Sequence, residues 1–163
     1  MTESLPEGLM WGLKATFLAY LAGLPDARFS ATGGAVVDER QRILFPTEST
    51  EEFDPARGEG TIRFAGDVRF AGHHGMMFVM VAQPWLTFRA GAATLSIVDP
   101  ASHPAMDRRL DLLDVEERGW GEHRGARLYA PMPATLRAAG VELFNHAYPA
   151  GEPFDPLSVR VVV

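Results

Sequence analysis

No cysteine occurs among the 163 residues. Disulfides, thiolate nucleophiles, iron–sulfur clusters and cysteine-based zinc sites are therefore excluded. Lysine is almost missing as well. Lys14 stands alone beside fourteen arginines, and 15 basic against 21 acidic residues leave a formal net charge of −6. An acidic chain is repelled by nucleic acid and by anionic lipid headgroups, so neither is an expected partner. Long apolar runs are lacking too: no window approaches the roughly 18 apolar residues of a helical membrane span. Nor does a secretory leader appear, because residues 1–8 carry Glu3 and Glu7 without a cation and Lys14 interrupts the apolar stretch that follows. As it stands, the sequence predicts a cytoplasmic protein without membrane insertion, and an exported one only where a leader has been trimmed away. Hydrolase signatures are missing as well. Ser96 and Ser102 lack a Gly-x-Ser-x-Gly context, there is no His-Glu-x-x-His, and Gly33-Gly34 is too short for a phosphate cradle.

What remains is an ordinary globular composition, 47% hydrophobic and 22% charged, in a length that suits one domain over residues 1–163. Ser4-Leu5-Pro6-Glu7 reads as a capping box that opens a helix running to Ala22, with Gly23-Leu24-Pro25 as its stop. Leu9, Leu13, Phe17 and Tyr20 then fall on one helical stripe, with Thr16 beside Tyr20. Beyond this point the period becomes two. In residues 61–70, Ile62, Phe64, Val68 and Phe70 alternate with Thr61, Arg63, Asp67 and Arg69, the pattern of a half-buried antiparallel strand. Further strands are expected near residues 28–37, 42–45, 76–82, 85–89, 94–98, 108–115, 126–129 and 158–163, separated by Gly, Pro and Asp. A short second helix is expected over residues 136–146, interrupted by Gly140. The predicted fold is therefore mainly β with two helices (α+β): an antiparallel β-sandwich or rolled sheet with an N-terminal helix and a short C-terminal one.

Among chemistry-bearing residues, the turn Gly72-His73-His74-Gly75 stands out, because it joins an alternating strand to the apolar run from Met76 to Ala82. Two imidazoles at a strand-connecting tip, together with Tyr20 and Tyr148, make ring donors far apart in sequence. A fold that gathers them gathers them for a ligand. Taken one at a time, Tyr20 equally suits the edge of a core, His73 a solvated tip, and Tyr148-Pro149 a packing anchor before a Gly turn. The methionines of the apolar run suit either a core or a ligand wall.

The chain also resembles a known family. Gly12-Leu13-Lys14-Ala15-Thr16-Phe17-Leu18-Ala19-Tyr20 is similar to the opening helix of the HtaA-type haem-binding domain, a module of actinobacterial haem-uptake proteins. Residues 64–75, with Gly72-His73-His74-Gly75, resemble its strand and Gly-His-x-Gly turn. Gly140 to Gly151 and Phe154-Asp155-Pro156-Leu157 resemble its Gly…Phe…Tyr-x-x-Gly…Leu-Asp-Pro ending. The resemblance implies a noncatalytic protein that binds haem b as ferric haem. Tyr20 would then be the axial ligand to iron and His73 its hydrogen-bonding partner. Tyr148 and Thr16 would stand at the haem, and Phe17, Phe144, Leu13 or the methionine strand against the porphyrin. His74 competes with His73 for the inward place, and Ala147 stands where the family often has an aromatic. A haem carrier, transfer or storage role is expected, with haem-donor and haem-acceptor proteins as partners, and a homodimer stays open.

Three other readings are kept for comparison. Tyrosinate ligation also serves peroxide chemistry, for which His74 or His146 would have to act as acid/base. His73, His74 and His146 could hold zinc without porphyrin, although adjacent side chains on extended backbone point apart. Trp11, Trp85 and Trp120 could form the recognition surface of a noncatalytic β-sandwich interaction module.

Overall fold

In the computed structural model, which describes residues 5–163, a strand, β1 (Gly8–Trp11), stands where the sequence predicts the first turns of a helix. Helix α1 is confined to Ala15–Ala22. Leu9 and Leu13 obey the helical spacing, but both are fully buried by other means. Leu9 sits in the sheet between Phe45 and Val159, and Leu13 adopts φ 54, a value foreign to a right-handed helix. Ser4 of the expected capping box lies outside the described residues. At the helix start Lys14 makes no side-chain cap. Asp155, from the other end of the chain, supplies one: its Oδ1 accepts the Ala15 amide at 3.2 Å, and its own amide donates to the Leu13 carbonyl at 2.8 Å. The Trp11 indole donates to the Asp155 carbonyl at 3.0 Å.

The strands that follow are β2 (Arg28–Thr32), β3 (Val36–Val37), β4 (Ile43–Phe45), β5 (Thr47–Asp54), β6 (Glu59–Phe64) and β7 (Asp67–Gly72). After them come β8 (Met77–Ala82), β9 (Trp85–Arg89), β10 (Ala92–Val98), β11 (Arg109–Val115), β12 (Gly121–His123), β13 (Ala126–Leu136) and β14 (Pro153–Val161). They build two antiparallel sheets. The larger has the order β3-β4-β1-β14-β13-β11-β10-β9-β6-β5 with β12 added beside β13, and the smaller is β2-β7-β8. The architecture is thus mainly β, as the alternation implies. The expected C-terminal helix is shorter than predicted and consists of two 3-10 turns, Ala138–Gly140 and Glu142–Phe144. Gly140 is tightly enclosed: a Cβ there would lie 2.7 Å from a Leu112 methyl and 2.8 Å from a Leu136 methyl.

The predicted strand over residues 61–70 is two strands in two different sheets. Gly66 makes the break, with φ +120 and Ala35 Cβ only 2.8 Å from where its own Cβ would be. Ile62, Phe64, Val68 and Phe70 nevertheless all face inward, because the break preserves the alternation. Val68, Phe70, Val79 and Val81 turn the small sheet's inner face into the main core beside Leu9, Trp11, Phe17 and Phe45. Each such residue contributes roughly 1.5–3 kcal/mol by leaving water. On the other side of β8, Met80 and Ala82 pack with Val98 and Met106, so protein covers that part of the methionine strand. Trp11 is core, whereas Trp85 lies between the guanidinium groups of Arg63 and Arg109 and Trp120 stacks on Arg127, so the three indoles occupy three separate settings.

Candidate functional site

Three segments far apart in sequence meet beside α1. The helix contributes Phe17 and Tyr20, the bend between β7 and β8 contributes His73 and the start of β8 Met77, and the last 3-10 turn with the segment after it contributes Phe144, Asn145, Ala147 and Tyr148. Together they line a cleft of about 350 Å³. Its floor is made of rings: Phe17 meets Phe144 edge-on with centroids 5.4 Å apart, and Phe144 meets Tyr148 at 5.8 Å and Phe154 at 5.1 Å. Phe70 closes the far side of Phe17 at 5.9 Å. Lys14 lies behind this wall. Its Nζ donates to the Pro153 carbonyl at 2.8 Å, pairs with Glu152 at 3.1 Å, and sits 5.2 Å from the Tyr148 ring centre.

At the cleft's rim the Tyr20 hydroxyl and His73 Nε2 are hydrogen bonded to each other. The two residues belong to different elements and are both exposed. Tyr20, 51% exposed, lines the cleft, and its oxygen meets the exposed His73 and not a buried partner. The imidazole gets there by unusual backbone. His73 and His74 take φ 51 and φ 55 in succession, in the left-handed region that costs a non-glycine residue about 1–2 kcal/mol. Asn145, which also lines the cleft, and His146 after it repeat this with φ 53 and φ 61. Gly72, just before the bend, is packed close, since a Cβ there would be 2.8 Å from a Leu24 methyl and 3.2 Å from the Met77 methyl.

Of the residues expected at a site, Tyr20, His73, Tyr148, Phe17 and Phe144 converge on this cleft. Thr16 is exposed one turn before Tyr20 and is not among the lining residues. His74 turns away with its side chain 95% exposed, its backbone amide donating to Asp26 Oδ2 at 2.6 Å. Of the two imidazoles, His73 lines the cleft and His74 does not. Leu13 is buried in the core and does not reach the lining. Sequence reasoning overlooked Asn145 and Asp26. A signal existed for both: Asn adopts left-handed backbone more readily than other non-glycine residues, and Asp after Pro25 is a habitual acceptor for turn amides. The amide of His74, outweighing burial, holds the Asp26 carboxyl below its usual 3.8. A second cavity of about 270 Å³ lies against α1, lined by Leu18, Leu21, Phe29, Ile43 and Phe70 among others, and offers neither phenol nor imidazole.

Known structures share this arrangement of strands. The C-terminal domain of HtaA from Corynebacterium glutamicum is 21% identical and superposes with a TM-score of 0.74, over 95% of this chain and 96% of that one. The N-terminal domain of the same protein gives a TM-score of 0.76 at 19% identity, over 99% of this chain and 100% of that one. The heme binding protein HtaB from the same organism gives 0.68 at 15% identity, covering 93% and 90%. No protein of curated function matches the chain in sequence. The HtaA family profile, however, matches residues 7–160, from β1 through the bend and the ring floor into β14, and the chain belongs to the HtaA family.

Proposed function

We propose that this protein binds ferric haem b in the cleft between α1, the His73 bend and the Phe144–Tyr148 segment, and serves as a haem carrier, transfer or storage protein rather than an enzyme. The hydrogen bond between Tyr20 and His73 at the edge of an apolar, ring-lined cleft carries this reading. It suits a ligand that is flat and greasy over most of its surface and has one hard Lewis-acidic centre. The heme-binding designation of the structurally similar HtaB supports the same assignment.

The residues present fit such a group. Phe17, Phe144, Tyr148 and Met77 would hold the apolar plate, and the Tyr20 oxygen would be the axial ligand. Bound ferric iron would supply a hard cation, for which an anionic oxygen is a matched donor. A phenol ordinarily loses its proton only near pH 10, so a phenol with no base beside it is a poor ligand at neutrality. His73 addresses this. In the tautomer that carries its hydrogen on Nδ1, Nε2 accepts the phenol's hydrogen bond and could receive its proton as the oxygen meets the iron. Reprotonation along the same bond would weaken ligation again, which suits a protein that must release its cargo. The exposed rim of Tyr20, His73 and Asn145 leaves room for a haem-donor or haem-acceptor protein to approach.

A peroxide-handling enzyme would need an acid/base over the iron. His74 and His146, the candidates for it, are both exposed and outside the lining. Among the described residues no three His, Asp or Glu side chains cluster as they would around a zinc ion. Titration of the protein with haemin tests the proposal. The wild type is expected to give a ferric spectrum of tyrosinate character, Tyr20→Phe to lose it, and His73→Ala to keep it with affinity lowered about tenfold or more. An unchanged spectrum in Tyr20→Phe would remove Tyr20 from the iron.

A further inference from the structure

The His73 bend is held in a conformation that its own sequence does not favour. Two successive non-glycine residues have positive φ, and the strain of such a pair persists only where surrounding contacts over-determine it. Within the bend itself, the Met76 amide donates to the His73 carbonyl at 3.1 Å, which closes the turn without anchoring it to the rest of the molecule. The anchor is Asp26. Its Oδ2 accepts the His74 amide at 2.6 Å and lies 3.8 Å from His74 Nδ1. The His73 amide adds to the same pull on the carboxylate.

The turn that carries Asp26 is tied to the helix that carries Tyr20. The Gly23 amide donates to the Tyr20 carbonyl at 3.2 Å, the Leu24 amide to the Leu21 carbonyl at 3.0 Å, and the Ala27 amide to the Leu24 carbonyl at 3.4 Å. The Leu24 methyl packs against Gly72 at the start of the bend. The contacts form a closed circuit: Tyr20 to the end of α1, on to Asp26, across to His74, back one residue to His73, and through the imidazole to the Tyr20 hydroxyl. Asp26 is the point where this circuit crosses between elements by a charged hydrogen bond, about twice as strong as a neutral one.

We infer that Asp26 is a positioning residue for the haem site, acting through the His74 amide to fix the left-handed bend that sets the His73 imidazole against the Tyr20 hydroxyl. The inference deepens the haem-binding proposal. It predicts that the tyrosine–histidine pair is organised before any ligand arrives, by a carboxylate outside the cleft. Its consequence is specific: Asp26 matters only through His73.

The test uses the 163-residue chain in two states. Without haem, NMR of the side-chain imidazole nitrogens reads the environment of His73 directly. Asp26→Ala is expected to shift the His73 ring signals toward those of a solvated histidine, whereas Asp26→Asn, which keeps an acceptor oxygen, leaves them near the wild-type positions. With haemin, Asp26→Ala is expected to weaken binding about tenfold in the wild-type background. In a His73→Ala background the same change should alter affinity by less than about twofold, because the group it serves is gone. Equal losses in both backgrounds, or unmoved His73 signals in Asp26→Ala, would overturn the assignment. So would an Asp26→Ala protein that fails to fold, since a part-exposed carboxylate acting on one bend does not hold the whole chain together. A wild type that binds no haemin would overturn the haem reading and leave the ring signals to decide the role of Asp26.

Discussion

Phe17 and Tyr20 lie three residues apart on α1, and the fold treats them differently. Phe17 is 4% exposed and wedged between Phe70 and Phe144, whereas Tyr20 is 51% exposed and reaches out to His73. One ring is structural and merely borders the cleft; the other is presented to it. Phe144 combines both roles, being 4% exposed with Phe17, Tyr148 and Phe154 all against it. Phe144→Ala should therefore cost about 3–5 kcal/mol in urea or thermal unfolding, an amount typical of a large ring removed from a core. Tyr20→Phe should stay within about 0.5 kcal/mol of the wild type, because its hydroxyl bonds at an exposed rim. Asp26 makes a pH prediction. Its carboxyl is held below 3.8 by the His74 amide first, so the charged form is the one the fold favours. The stabilisation is present above 3.8 and disappears as the pH falls through the lowered value. The His74 amide resonance of the haem-free protein should accordingly titrate with a midpoint below 3.8, and that transition should be missing in Asp26→Asn.

At the scale of elements, α1 depends on a distant cap. Lys14 offers the helix no side-chain acceptor, and Asp155 provides one from the start of β14. Asp155→Ala should cost about 1 kcal/mol, the usual worth of an N-cap. It should also loosen the helix that presents Tyr20, which hydrogen exchange at the Ala15 amide would detect. Gly66, at the corner where β6 leaves one sheet and β7 enters the other, should be less forgiving. A side chain there meets both a positive φ and the Ala35 Cβ, so Gly66→Ala should lower stability by about 2–4 kcal/mol in the same unfolding measurement. These two elements also mark how far the sequence can be read. Residues 85–89 are recognisable as β9 because alternation and flanking turns agree there. The start of α1 is misread because Leu9 and Leu13 satisfy helical spacing by coincidence, and because the residue that caps the helix lies some 140 positions away. The break at Gly66 is hidden for the opposite reason: the alternation continues through it unchanged. In the site, Tyr20, His73 and Tyr148 are legible as ring donors flanked by Gly or apolar segments. Asp26 is legible only as an acceptor for turn amides after Pro25; that the amide it takes is His74's emerges only when the bend lands on it.

Across the whole molecule, charge and site pull in different directions. The chain carries a formal −6, while the cleft is lined by rings, Met77, Ala147, Asn145 and the Tyr20–His73 pair, with no Arg or Lys among those side chains. Lys14, behind the ring wall, is already engaged by Glu152 and the Pro153 carbonyl. A haem held here would be gripped by its apolar faces and its iron, with its propionates directed to water and not to a guanidinium. The consequence is measurable. Sites that bind an anion through exposed cations lose affinity as salt rises, because charges are screened beyond a Debye length of about 10 Å at 0.1 M. For this protein, haemin affinity should stay within about threefold between low and roughly 0.5 M salt. Any drift should be toward tighter binding, as screening relieves the repulsion between the two propionates and an acidic protein. Titrations across that salt range, repeated with a haem whose propionates are esterified, check both halves of the argument. A loss of tenfold or more with salt, or on esterification, would mean that arginines outside the cleft reach in to hold the carboxylates.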